Sequence, residues 1–543
     1  MHKLEKHSTP EATSWWQTGI FYEVYLRSFK DSSGDGIGDL RGVLQQLDYL
    51  EWLGVTAIWL TPFYPSPMKD FGYDISDYTA VHPLFGTMED FEELVAAVHQ
   101  RGMKLVVDFV PNHTSDQHPW FKESRSSIDN PKRDWYYWKD AKSDGRPPNN
   151  WLGVLGGSAW ERDEQSGQYY YHAFLKEQPD LNLRNPDVQE AILDVMRFWL
   201  NKGVDGFRVD VMWHLAKDEK WRDNPRNPNF KSSMPDCDQL LQVFSCDQPE
   251  VHAIVRRFRD LLDEYEDKVL MGELYLSMDK TIRYYGEEQR GAQMPGNFQL
   301  LFLPWKAEDI GIAIDQYEAA LPDKAWPNWN IGNHDRPRLI SRIGEAQTKV
   351  AALLLLTLRG TPTMYYGDEI GMQNVTIPKN EIQDPQGLLM PDKNLSRDPI
   401  RTPMQWDATE NSGFTTGKPW LRLDENFKEN NVETQRNDPS SLLHFYRRLI
   451  ALRQKEPSLY SGDYYPVVTN GKLLAFIRKE PGSISFLVVL NLTGDAVVYE
   501  PKEERRKGKI ILSIQAENEG QPFEFGFTLA GNEGVIVSLE GCE

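Results

Sequence analysis

Four short segments of this chain carry an acid or a histidine where an apolar run ends: Asp108-Phe-Val-Pro-Asn-His113, Gly206-Phe-Arg-Val-Asp210, Gly272-Glu-Leu274 and Gly332-Asn-His-Asp335. Any one of them alone reads as a helix cap or a loop residue. All four at strand ends of one barrel read as the wall of a shared pocket. Arg208 and Asp210 are two positions apart, so on a strand both side chains point the same way and the guanidinium can hold the carboxylate ionised. An ionised, oriented carboxylate suits a nucleophile. Glu273 lies among Met271, Leu274 and Leu276, and burial there would raise its pKa, as a general acid requires. One low-pKa and one high-pKa carboxyl is the pairing that cleaves glycosidic bonds, although an Arg–Asp pair that only supports the barrel fits the same spacing.

The elements that would position these residues are legible from periodicity. From residue 19 to about 457, β-rich runs alternate with helical patterns, the mark of βα units around a parallel sheet. Strands are expected at 20–25, 57–60, 105–110, 206–211, 269–274, 298–303, 326–331 and 361–365. Helical spacing covers 39–53, 88–100, 186–201, 251–265, 279–288, 308–320, 345–358 and 440–455. The pattern predicts an α/β fold, a (β/α)8 TIM barrel with two interruptions. Residues 1–113 form its first part, 114–178 an inserted subdomain after strand 3, and 179–457 the remainder, with a long loop insertion at 373–439. Both interruptions should wall the site, and 458–543 should be a C-terminal antiparallel β domain, a sandwich.

Composition limits the partners. The 543 residues carry 60 Lys+Arg against 81 Asp+Glu, a net charge of −21, which disfavours nucleic acid and anionic membrane. The N-terminal residues lack a signal-peptide core, and the longest aliphatic run, 351–358, falls far short of the roughly 18 to 20 residues of a membrane span. Cys237, Cys246 and Cys542 show no metal-ligand spacing and no disulfide framework, so a soluble cytoplasmic protein is expected. Aromatic residues are abundant, with 17 Trp, 23 Tyr and 24 Phe. Many crowd the stretch 120–171, where flat faces suit pyranose rings and equally suit the packing of a small subdomain.

The four segments, with Gln178-Pro-Asp-Leu-Asn182, Gly54-Val-Thr-Ala-Ile-Trp-Leu-Thr-Pro62 and Gly360-Thr-Pro-Thr-Met-Tyr-Tyr-Gly-Asp-Glu369, resemble the ordered motif set of the α-amylase family, glycoside hydrolase family 13. The resemblance spans nearly the whole chain. It implies a retaining α-glycosidase with Asp210 as nucleophile, Glu273 as acid/base and Asp335 as transition-state stabiliser. It further implies that Arg208 orients Asp210, and that His113 and His334 hydrogen-bond the sugar. No cofactor for catalysis is implied.

Asp70-Phe-Gly-Tyr-Asp74-Ile-Ser-Asp-Tyr78 is similar to the form found in exo-acting α-glucosidases. That likeness implies that Asp74 binds the non-reducing-end hydroxyl opposite Arg397, that Tyr73 stacks below the glucose and that Arg401 lies near the site entrance. The implied reaction is release of terminal α-linked glucose from short α-glucosides of the maltose, isomaltose, sucrose or trehalose type. Val211 after the nucleophile resembles enzymes acting on α-1,6 bonds, while Val211-Met-Trp-His214 is closer to a bacterial branch of broader range. A transglucosylase or a sucrose- or trehalose-type isomerase using the same glucosyl-enzyme is the alternative, and a non-catalytic binding relative a remote one. Oxygen donors alternate along Asp31, Ser33, Asp35, Ile37 and Asp39, like the first half of a Ca²⁺ loop, and the resemblance implies a structural Ca²⁺ or Mg²⁺ there; a Gly-rich turn with Asp39 capping the next helix is the other reading. Monomer and homo-oligomer both remain open.

Overall fold

The computed structural model describes residues 13–469, 471–500, 507–524 and 526–540. Cys542 and the N-terminal stretch 1–12 lie outside them. Eight parallel strands close a barrel: β1 (Phe21–Val24), β2 (Ala57–Leu60), β3 (Lys104–Phe109), β4 (Gly206–Val209), β5 (Val269–Gly272), β6 (Met294–Asn297), β7 (Asn328–Asn330) and β8 (Thr361–Tyr365), each bonded to the next and β8 to β1. Every residue of β2 and β4 is buried, as strands covered on both faces require. Gly206 opens β4 because a Cβ there would sit 2.3 Å from the Val269 carbonyl oxygen of β5.

The helices follow their sequence signals. Met88–Gln100 starts in a capping box between Thr87 and Asp90, and Pro186–Asn201 starts with Asn185 as cap and Pro186 in the first turn. The second buries Val188, Ile192, Val195, Met196 and Trp199, one stripe at helical spacing. Thr348–Thr357 is buried at every position but Lys349, because the barrel covers one side and the C-terminal domain the other.

The sixth strand departs from expectation. The stretch 298–303 contains the short helix Gln299–Phe302, and the strand is Met294–Asn297 just before it. Pro295 and Gly296 read locally as a turn, yet β6 must fit between β5 and β7, and a Cβ on Gly296 would lie 2.7 Å from the Gly272 carbonyl oxygen.

The insertion after β3 holds a helix, Pro119–Ser126, and a three-stranded antiparallel sheet. Its aromatic residues form a core that Trp221, from the loop after β4, completes. Tyr137, Trp151, Trp160 and Tyr171 pack around Trp221, and Phe121 packs among Tyr136, Trp138 and Tyr170. The C-terminal domain is a six-stranded antiparallel sheet with a two-stranded sheet beside it. Leu474, Phe476, Val488, Leu490 and Ile536 join the barrel core, while Leu473, Ala475, Ile477, Val489 and Val537 form a second core with Tyr499 and Leu529. That division is the two-residue period of the strands. A strand at 463–469, not separately anticipated, forms the sheet edge, where Pro466 is tolerated. Among the described residues no helix is long and apolar enough to cross a membrane.

Candidate active site

The segments that follow β2, β3, β4, β5 and β7 converge on a cavity of about 540 Å³ lined by Asp210, Glu273 and Asp335. Asp210 follows β4 and Glu273 follows β5, so adjacent strands present them side by side. Arg208, inside β4, joins them. Its Nη1 donates to Asp210 Oδ1 and to Asp108 Oδ1, both at 2.8 Å, and its Nη2 meets Glu273 Oε2 at 3.0 Å. The Nη2 contact lacks hydrogen-bond alignment, so it is an ion pair only.

Backbone shape serves the same group. Val211 sits in the left-handed region at φ 39°, ψ 47°, which a β-branched residue adopts only under strain. That turn aims the Val211 N–H at Glu273 Oε2, 2.8 Å away.

The electrostatics differ from the expected division into one low and one high carboxyl. Burial pushes Asp210 well above the usual carboxylate range, and the facing Glu273 adds to this against the pull of Arg208. Burial also raises Glu273, with Arg208 opposing. Asp335 behaves oppositely. Burial works against its charge, yet His334, Arg397 and Arg401 hold it well below the usual range. Arg401 Nη2 donates to Asp335 Oδ1 at 2.7 Å and Arg397 Nη1 to the same oxygen at 3.2 Å.

Tyr73 and His334 form the floor. Their rings stack at 5.6 Å and 13°, and the Tyr73 hydroxyl reaches both Asp108 Oδ2 at 3.0 Å and His334 Nε2 at 2.9 Å. Nδ1 of His334 is bonded to Glu23 of β1, whose other oxygen, Oε2, has no partner. Burial lowers His334 well below its usual pKa and raises Glu23. With the Tyr73 hydroxyl donating to Asp108 Oδ2, the bond between Tyr73 and His334 is donated by Nε2–H. His113 lines the opposite wall, with Gln178 Nε2 3.2 Å from its Nε2, and burial lowers it to about 4.

Two expected roles are corrected. Asp74 does not face the cavity or meet Arg397. It is fully buried, and its carboxylate accepts from Ser66 Oγ and from the Lys69 and Asp70 amides, all at 2.8 to 2.9 Å. The acid opposite Arg397 is Asp70, whose Oδ1 accepts from Arg397 Nη2 at 2.7 Å and which lines the cavity. Arg401 is not at the entrance but wholly buried, and it acts by holding Asp335. Arg397 itself is bonded to Asp70, Asp335 and Asp384, which makes it the link between the barrel and the 373–439 loop.

The spacing of motifs did not reveal Asp70, Glu23, Asp108 or Lys217. Asp108 opens a quoted segment, so its strand-end position was the available signal. Lys217 is wholly buried and paired with Asp180 at 2.5 Å, while Asn112 donates to the same carboxylate, which ties the return segment of the insertion to the loop after β4. Of the crowded aromatics at 120–171 none lines the cavity; Tyr73, Phe174, Trp213, Tyr275 and Phe302 do.

The 31–39 loop has the all-oxygen donor chemistry of a hard cation. Asp31 accepts from the Ser33, Gly34 and Gly36 amides at 2.8 Å, and Asp39 caps Leu40–Gln45 through Gly42 N while also accepting from Ser32. Burial raises Asp39, and repulsion from Asp31 adds to it. Asp35 turns toward the Ile37 amide, and among the described residues no three acidic, His or Cys side chains form a coordination group.

A family model described as "Alpha amylase, catalytic domain" matches residues 23–462. An alpha-glucosidase of Apis mellifera is 41% identical over 96% of this chain and 92% of its own. An oligo-1,6-glucosidase of Parageobacillus thermoglucosidasius is 38% identical over 90% of this chain and 94% of its own. Among solved structures, an alpha-glucosyl transfer enzyme, XgtA, superposes with a TM-score of 0.91 at 38% identity, covering 97% of this chain and all of that one.

Proposed function

This chain belongs to the alpha-amylase family and is a glycoside hydrolase, and on that footing we propose that it is a retaining exo-α-glucosidase that removes terminal glucose from short α-glucosides. The observation that carries the reading is a single cavity in which Arg208 forks onto Asp210 and Glu273 while the Asp70–Arg397 ion pair joins the loops after β2 and β8 in its wall. A fork that spans both carboxyls favours the close spacing of retaining enzymes, roughly 5 to 5.5 Å, over the wider inverting one.

Glu273 protonates the glycosidic oxygen as Asp210 attacks the anomeric carbon, breaking the C–O bond and forming a covalent β-glucosyl ester. Water, deprotonated by Glu273, then cleaves that ester and frees glucose with the α configuration. Asp335, held ionised, faces the positive charge that develops on the ring.

Incubation with maltose, isomaltose, sucrose and trehalose should release glucose from at least one of them. Internal cleavage of maltodextrin with no release from any disaccharide would end the exo reading. Asp210→Ala should abolish turnover with the fold intact. A transglucosylase is the second reading, favoured by the likeness to an alpha-glucosyl transfer enzyme; longer oligosaccharides among the products would identify it.

A structural cation on the 31–39 loop, held by Asp31, Ser33, Asp35, the Ile37 carbonyl and Asp39, belongs to the same proposal and rests on the oxygen-only donors and the repelling Asp31–Asp39 pair. It requires Asp35 and Asp39 to turn inward. Calcium should then raise the melting temperature over a chelator control, and identical melting curves would retire it. A cytoplasmic setting is retained with it, supported by the buried free thiols of Cys237 and Cys246.

A further inference from the structure

The side of the cavity formed by the loops after β4, β5 and β6 lies across the closed barrel from Asp70, after β2, and Arg397, after β8, and it holds two charged side chains that no ion pair neutralises among the described residues. Arg336 directly follows Asp335 and lines the cavity. Its guanidinium lies 4.9 Å from the Tyr275 ring centre and 4.8 Å from that of Phe302. Every other guanidinium around the site is tied down: Arg208, Arg397 and Arg401 each grip one or more carboxylates. Among the described residues Arg336 grips none, and its Nε is buried without a partner. Rings hold a cation by its face and leave the N–H edge pointing outward.

Asp238 is the counterpart. It lines the same cavity from the loop after β4, and among the described residues the only side-chain hydrogen bond to its carboxylate is the weak thiol donor of Cys237 at 3.9 Å. The other charged groups nearby are committed: Asp236 to Lys393 at 2.6 Å and Lys280 to Asp247 at 2.8 Å. Burial raises Asp238, and Arg336 is the first cation acting against that, so the two lie within each other's field. A half-buried acid and a half-buried guanidinium that do not close on one another leave donor and acceptor capacity for something between them.

We propose that Arg336 and Asp238 form a clamp that reads the hydroxyl groups of the leaving unit, and are therefore the residues that decide which α-glucosides this enzyme accepts. The proposal rests on the glucosidase reading of the cavity. A leaving sugar offers vicinal hydroxyls, which can accept from the guanidinium edge and donate to the carboxylate at once. A leaving group too small to reach the clamp gains nothing from it. Both residues are specificity-determining and neither touches the reacting bond.

The test compares Arg336→Gln and Asp238→Asn with wild type on disaccharides and on α-glucosyl fluoride, whose leaving group is a single atom. For the disaccharides that the wild type accepts, kcat/KM should fall roughly tenfold or more, chiefly through KM. On the fluoride it should stay within about twofold. Equal losses on both substrate types, or no loss on either, would overturn the clamp. Wild-type protein inert toward the fluoride would overturn the pocket reading, and the clamp with it. Unchanged melting curves for both variants separate a lost contact from a lost fold.

Discussion

At the scale of residues, what matters is which acid faces the cavity and which is consumed by its own loop. Asp70 and Asp74 stand four apart in one motif, and nothing in their spacing says which points inward. The difference is made by the amides of Lys69 and Asp70, which fold back onto Asp74. Asp70→Asn should therefore lower kcat/KM on disaccharides by roughly ten- to a hundredfold with little change in melting temperature. Asp74→Asn should do the reverse, costing about 1–3 kcal/mol of stability, because an amide nitrogen would face donors. The catalytic pair yields a pH prediction. Asp210 must be ionised to attack, and the Glu273 charge raises its pKa. Glu273→Gln removes that charge, so the acid limb of kcat/KM on α-glucosyl fluoride, which needs no protonation to depart, should move to lower pH. A limb that stays in place would show that burial alone sets Asp210. Asp210, Glu273 and Asp335 were legible as acids at strand ends; the raised state of Asp210 was not, since it depends first on how deeply that strand end is buried and then on Glu273 facing it from β5.

At the scale of elements, short strands and capped helices were readable wherever the local signal agreed with the barrel. Met88–Gln100 and Pro186–Asn201 match their expected limits because cap, stripe and terminus coincide. The sixth strand failed because Met294-Pro-Gly-Asn297 has poor strand-forming residues and only ring closure makes it one. The crowded aromatics left two readings open, since the same flat faces serve a sugar or a small core, and the structure decides for the core. The tie between insertion and barrel is open to test. Lys217→Met leaves Asp180 buried and unpaired, which should cost about 3–5 kcal/mol in urea unfolding. Adding Asp180→Asn should recover part of that loss, and a single variant as stable as wild type would show the tie to be idle.

At the scale of the whole molecule, the barrel and C-terminal domain share one apolar core through the helix Thr348–Thr357 and the inner face of the six-stranded sheet. Protein ending at residue 457 should be insoluble, because that helix would show its apolar side to water; soluble, active truncated enzyme would refute this. The ion pair between Asp70 and Arg397 has a further consequence, which concerns time. Where it closes the cavity wall between the loops after β2 and β8, the substrate has one door. Glucose then enters first and leaves last, and the departing unit must clear the doorway before water can reach the sugar ester. How long that unit lingers becomes a clock: a quick exit gives hydrolysis, and a slow one gives the sugar a second chance to rejoin or to meet another acceptor.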